Sequence, residues 1–166
     1  MCSFIGPNVK SLGKNNSLFS LNCLKEMIVN DSRKVYCEED NIVINGGTAT
    51  GIAIGGNIQS LRRIFGTKYI PKGEKYIIYL EASFLRTPYV EYESIMAQFK
   101  QSGIFENVNG IVLSYYDGNI DFYKKVFKDF NIPIVVCSNF GHGVNNNLLP
   151  IGKMISINDN IIEGIY

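Results

Sequence analysis

The chain's only histidine, His142, lies in the glycine-flanked stretch Asn139-Phe140-Gly141-His142-Gly143, just after the apolar run Ile132-Pro133-Ile134-Val135-Val136-Cys137. A second apolar run, Tyr76-Ile77-Ile78-Tyr79-Leu80, ends on a carboxylate, Glu81. A carboxylate held against one imidazole nitrogen fixes the tautomer and stabilises imidazolium. The other nitrogen is then left to take a proton from a hydroxyl nucleophile. Glu81 and His142 suit those two roles. The nucleophile should stand on a strained elbow between strand and helix, of the Gly-x-Ser-x-Gly kind, and no such elbow occurs in the sequence. Ser83, Ser114 and Ser138 lie near strand ends but lack the small neighbours such a turn requires.

Each of these residues also has a plain structural reading. A lone histidine near a strand end is ordinarily a satisfied structural or surface group, and a glutamate ending an apolar strand can cap the next turn. Asp117 belongs to the turn Asp117-Gly118-Asn119 and ranks below Glu81. A shared sheet edge is what lifts Glu81 and His142 above that reading. From Tyr76 onward the pattern alternates: strand 76–81, helix 89–102 stopped at Gly103, strand 110–115, helix 120–130, strand 133–137. Such alternation predicts parallel strands with crossover helices. Glu81, Asp117 and His142 would then emerge together at the carboxyl edge, where open α/β sheets build their sites.

The expected fold is therefore α/β, a small mostly parallel sheet with crossover helices and a β-hairpin flank. The hairpin is read from Asn41-Ile42-Val43-Ile44 and Ala49-Thr50-Gly51-Ile52-Ala53-Ile54, joined through Asn45-Gly46-Gly47. Before it, residues 17–29 place Leu18, Leu21, Leu24, Met27 and Ile28 at helical spacing, with Ser17 as cap. After it, Gly55-Gly56-Asn57 opens a short helix over 58–65, with Asn57 as N-cap and Gly66 as stop. Gly55-Gly56-Asn57 lacks dinucleotide or P-loop spacing, so it reads as a tight chain reversal. Residues 153–157 and 161–165 form short closing strands. The whole is one domain over 1–166, with 1–40 a linker and helical lead-in and 41–166 the α/β core.

Composition bounds the partners. With 46% hydrophobic residues and 16 Lys+Arg against 15 Asp+Glu, the chain can bury a core and carries a net charge of +1. Nothing in that balance asks for nucleic acid or an anionic membrane. Cys2, Cys23, Cys37 and Cys137 show no Cys-x-x-Cys spacing and no disulfide-scaffold density, so reduced thiols, a cytoplasmic location, and neither metal nor cofactor are expected. No signal-peptide pattern and no apolar run of membrane-spanning length occur.

An ordered set of motifs carries a family resemblance: Phe4-Ile5-Gly6-Pro7-Asn8, Gly55-Gly56-Asn57-Ile58, Gly66-Thr67-Lys68-Tyr69-Ile70-Pro71, Ile78-Tyr79-Leu80-Glu81, Gly103-Ile104-Phe105, Gly110-Ile111-Val112, Asn139-Phe140-Gly141-His142 and Leu149-Pro150-Ile151-Gly152. Together, over nearly the whole chain, they resemble the C-terminal domain of LD-carboxypeptidases, a family that includes microcin C self-immunity proteins. The resemblance implies a swivelling β/β/α-like domain contributing Glu81 and His142 to a Ser-His-Glu triad. The serine elbow and oxyanion hole of that family sit in an N-terminal domain, so the sequence is expected to begin just downstream of the nucleophile.

Three functions follow as expectations. The first is hydrolysis of LD-peptide amides in muropeptides, inactive without a serine domain supplied by another chain. The second is microcin-immunity-type hydrolysis of aminoacyl-nucleotide amides, towards which Asn139-Phe140-Gly141-His142 leans, although a compact segment between Gly6-Pro7 and Gly55-Gly56 and the lack of Trp speak against it. The third is a non-catalytic remnant acting as a binding or oligomerisation module. Family resemblance also implies a homodimer.

Overall fold

The computed structural model describes residues 3–9, 12, 18–30, 40–73, 75–83, 85–115, 119–141, 143 and 145–165. Its strands are β1 (Ser3–Ile5), β2 (Ile42–Asn45), β3 (Thr48–Asn57), β4 (Tyr76–Glu81), β5 (Val108–Ser114), β6 (Ile134–Cys137), β7 (Leu149–Ile151), β8 (Met154–Asn158) and β9 (Ile161–Gly164). Its helices are α1 (Leu18–Ile28), α2 (Ile58–Leu61), α3 (Tyr89–Gln101) and α4 (Ile120–Val126). The main sheet runs β2-β6-β5-β4-β3-β8-β9, and β1 pairs with β7 in a separate two-stranded ribbon. β3, β4, β5 and β6 are mutually parallel, as the alternation predicts.

Both faces of this parallel centre are covered, which is why β4 reads as an unbroken apolar run and is buried along its full length. Tyr76, Ile78 and Leu80 point into one core, against Tyr92, Ile95, Met96 and Phe99 of α3 and Phe122 and Tyr123 of α4. Those α3 positions recur at helical spacing, so one stripe of the helix lies on the sheet. Ile77 and Tyr79 point the other way, into a second core shared with Phe140, Leu149 and Ile155, and with Ile5 packed against it. Period-two alternation puts Glu81 on the face of Tyr79, away from the helices and towards the β1–β7 ribbon.

The expected hairpin between residues 42–44 and 49–54 is not formed. Both strands exist, but β2 pairs antiparallel with β6 at the far edge, while β3 pairs with β4 on one side and β8 on the other. Gly47, at φ +125, does turn the chain. The turn sends β2 to the edge of the sheet and β3 to its interior, with β6, β5 and β4 lying between them. The antiparallel flank is instead β3-β8-β9, with β8 and β9 joined in a hairpin. The helix expected over 120–130 ends at Val126, and the expected cap Ser17 lies outside the described residues.

The expectation of reduced thiols holds at Cys23, which is free and buried. It is corrected at Cys137, which is disulfide-bonded. Spacing along a sequence carries no information about cysteines that only the fold brings together. No helix among the described residues is long and apolar enough to cross a membrane.

Candidate active site

Three parallel strands end side by side on Asn57, Glu81 and Ser114. Asn57 and Glu81 are register partners across β3 and β4. Asn57 Nδ2 donates to Glu81 Oε2 at 2.6 Å, a short charge-assisted bond. The other end of the same side chain, Oδ1, accepts from the N–H groups of Gln59 at 3.1 Å and Ser60 at 3.2 Å, capping α2. Asn57 thus fulfils its expected capping role, and it also holds the carboxylate. α2 is fixed in turn on α3, where Glu91 accepts from Gln59 Nε2 at 2.7 Å and pairs with Arg62 at 3.3 Å. β3 and β4 approach closely at Gly55, where φ is +127 and a Cβ would collide with the Tyr79 carbonyl.

Glu81 is 6% exposed and lines a cavity of about 330 Å3. Gly6, Pro7 and Asn8, leaving β1, line it together with Gly141, Gly143, Asn146 and Asn147 of the loop after β6. Gly141 lies directly over the strand ends: at φ +116, its Cβ would stand 3.1 Å from Ser114 Cβ and 3.6 Å from Glu81 Cγ. The loop is anchored at Phe140, whose ring sits 5.9 Å from that of Tyr79, and it is closed by the Asn147 N–H on the Asn139 carbonyl at 2.7 Å. His142 and Asp117 lie outside the described residues. The neighbours of His142 on both sides, Gly141 and Gly143, line the cavity with Glu81.

Of the serines near strand ends, Ser114 is fully buried, and its hydroxyl is committed to Ala82, accepting from its N–H at 3.0 Å and donating to its carbonyl at 3.2 Å. It ties β5 to the exit of β4. Neither Ser83 nor Ser138 lines the cavity. Sequence reasoning missed Asn57 as a carboxylate partner and Asn8 as a wall residue, whereas the polar stretch Asn145-Asn146-Asn147 reads from sequence as a loop beside the site, and Asn146 and Asn147 do line the cavity. Gly55-Gly56-Asn57 signalled a cap, but the bond to Glu81 needs the β3–β4 register. No group of three or more His, Cys, Asp or Glu among the described residues is placed to hold a metal ion.

A parallel-centred sheet with helices on one face, and a carboxylate at a strand end beneath a glycine-rich loop, define an α/β domain with a site at the carboxyl edge of its parallel strands. Residues 50–157 match the LD-carboxypeptidase C-terminal domain, and through it the chain belongs to the LD-carboxypeptidase family. A Treponema pallidum (strain Nichols) protein provisionally named a carboxypeptidase is 23% identical, the match covering 93% of this chain and 54% of that protein. For a similarly named Bacillus subtilis (strain 168) protein, YocD, identity is 26%, covering 74% of this chain and 40% of the relative. The chain thus spans about half the length of the curated relatives it matches.

Among solved structures, muramoyltetrapeptide carboxypeptidase from Oxalobacter formigenes superposes with a TM-score of 0.79 at 23% identity, covering 99% of this chain and 62% of that one. The microcin C7 self-immunity protein MccF, in complex with aspartyl sulfamoyl adenosine, gives a TM-score of 0.83 at 18% identity, covering 100% and 62%. These two likenesses establish the shared fold.

Proposed function

We propose that this chain supplies the carboxylate and imidazole of a Ser-His-Glu triad that hydrolyses the LD-peptide amide of muropeptides. The supporting observation is Glu81: buried at a strand end, gripped by Asn57 at 2.6 Å, and sharing its cavity with the two glycines that flank the only histidine. In this reading Glu81 orients His142 and stabilises the imidazolium, while His142 takes the proton from a serine hydroxyl and returns it to the leaving amine. The serine and its oxyanion donors come from a segment beyond these 166 residues, supplied as part of a longer protein or by another chain. Gly6, Pro7 and Asn8 line the same cavity as Glu81. Exposed Leu18, Leu21 and Ile28 on α1 provide apolar surface of the kind a second domain covers.

The deciding experiment is hydrolysis of an LD-linked muropeptide by the chain alone and mixed with a family N-terminal domain carrying the serine elbow. Expected is release of the terminal D-amino acid only in the mixture, lost in His142→Ala. Silence in a mixture whose two components demonstrably associate would sink the reading and leave a non-catalytic domain.

A further inference from the structure

The geometry points to α1 as the strut that positions the histidine-bearing loop, with Ser20 a positioning residue acting through Asn146. This inference rests on the reading of His142 as the triad's proton acceptor. Among the described residues no member of α1 lines the cavity. Yet Ser20, 1% exposed, turns its hydroxyl to the loop and accepts the Asn146 N–H at 2.8 Å, across 126 positions of sequence. Asn146 in turn donates from Nδ2 to the Gly143 carbonyl at 2.8 Å, and Gly143 adjoins His142. Two hydrogen bonds therefore lead from the helix to the residue after the imidazole. Leu148, next along the loop's exit, packs with Cys23 and Met27, which follow Ser20 on the same buried face of α1.

The choice of residue supports a specific role. Serine is an indifferent helix former whose hydroxyl competes for backbone groups, and on the buried face of an amphipathic helix an apolar side chain would pack better. A buried loop amide, however, must find an acceptor, and Ser20 is that acceptor. Dependence runs both ways, because an isolated helix of this length is marginal in water and draws its order from Leu148 and the loop. A triad imidazole must be held to within about half an ångström, so loosening Asn146 degrades the site without altering its charges.

His142 is the chain's only histidine, so in the full chain its ring gives a single Cε1–H NMR signal. Ser20→Ala is expected to raise Asn146 amide exchange about tenfold and to broaden or split that signal. Ser20→Thr, which keeps a hydroxyl, restores both. Cys23→Ala removes packing from the same cluster but keeps both hydrogen bonds, so it lowers global stability while broadening the His142 signal less than Ser20→Ala does. Asn146→Ala cuts the link to Gly143 alone and disturbs the His142 signal as Ser20→Ala does, which keeps the test decisive even if Ser20→Ala unfolds the chain. A single, unshifted His142 signal in either Ser20→Ala or Asn146→Ala overturns the inference, as does equal broadening in Cys23→Ala. None of these readings depends on hydrolysis, so a failure of the strut is told apart from a failure of the triad.

Discussion

The side-chain amide of Asn57 bridges two structural duties, its oxygen capping α2 and its nitrogen binding Glu81 at 2.6 Å across the paired ends of β3 and β4. Asn57→Ala removes both. The cap contributes about 1 kcal/mol and a hydrogen bond to a charged group about 1.5–3 kcal/mol. The melting temperature should therefore fall by about 5–16 °C in a chain of this size. Asn57→Asp separates the duties, since it keeps an N-cap acceptor but sets a second carboxylate against Glu81. Like charges in one site disfavour joint ionisation, so this variant should be markedly less stable than wild type at pH 7 and recover part of the difference on acidification. Thermal melts of both variants across pH 4–8 check this, and equal losses at every pH would show that the Glu81 contact carries no weight.

Gly141 is the point where loop and sheet edge touch. With φ at +116 and Ser114 Cβ 3.1 Å from where a Cβ would stand, Gly141→Ala meets backbone strain and a crowded neighbour together. A loss of about 1–3 kcal/mol is expected, with the displacement falling on the loop that bears His142. In the complemented hydrolysis assay the variant should lose far more activity than its stability loss accounts for. Near-normal turnover would mean that the loop tolerates lifting off Glu81.

Ser114 stands beside the cavity and invites assignment as a nucleophile, but its hydroxyl is spent on Ala82. Ser114→Ala should cost about 1–2 kcal/mol by leaving the buried Ala82 N–H without that acceptor. Hydrolysis in the complemented mixture should remain within a few-fold of wild type, whereas a complete loss with the fold intact would return Ser114 to candidacy.

Much of this was legible in the sequence, and what was not has a common cause. The run Tyr76–Leu80 announces a strand buried on both faces, the α3 stripe and Gly103 announce a helix and its stop, and Glu81 stands out as a charge where apolar pattern ends. These are local signals. Which strands pair is not local: Gly46-Gly47 shows that the chain turns, but not that β2 departs to β6 while β3 joins β4 and β8. The same holds for Asn57 reaching Glu81 and for Ser20 meeting Asn146. Each contact depends on register or docking between distant segments, and neither residue type carries a mark of its partner.

Cys23 provides a pH-dependent handle on α1. Burial pushes its thiol up to about 11 from 9.0, with a backbone hydrogen bond opposing in part. Because the folded value lies above the unfolded one, the neutral thiol's contribution is complete below about pH 9 and is lost as pH climbs towards 11. Cys23→Ala should therefore narrow its stability gap to wild type between pH 9 and 11, measured by denaturant midpoints at matched pH. A gap that is constant over that range would show that the thiol does not titrate with folding.

Glu81→Gln tests the charge of the carboxylate apart from its shape. Glutamine has nearly the same volume, and its amide oxygen can still accept from Asn57 Nδ2, so the strand ends and the α2 cap should persist and the melting temperature should change by only a few degrees. What is lost is the negative charge that would stabilise an imidazolium on His142 and select its tautomer. In the serine-protease triad the comparable acid-to-amide change costs about 10^4 in kcat, so a fall of about 10^2–10^4 is expected in the complemented assay. Glu81→Asp keeps the charge but withdraws it by one methylene, and it should retain more activity than Glu81→Gln despite disturbing the Asn57 contact more. If Glu81→Gln turns over as fast as wild type, Glu81 is a structural carboxylate, and the triad assignment fails at its orienting member whatever His142 does.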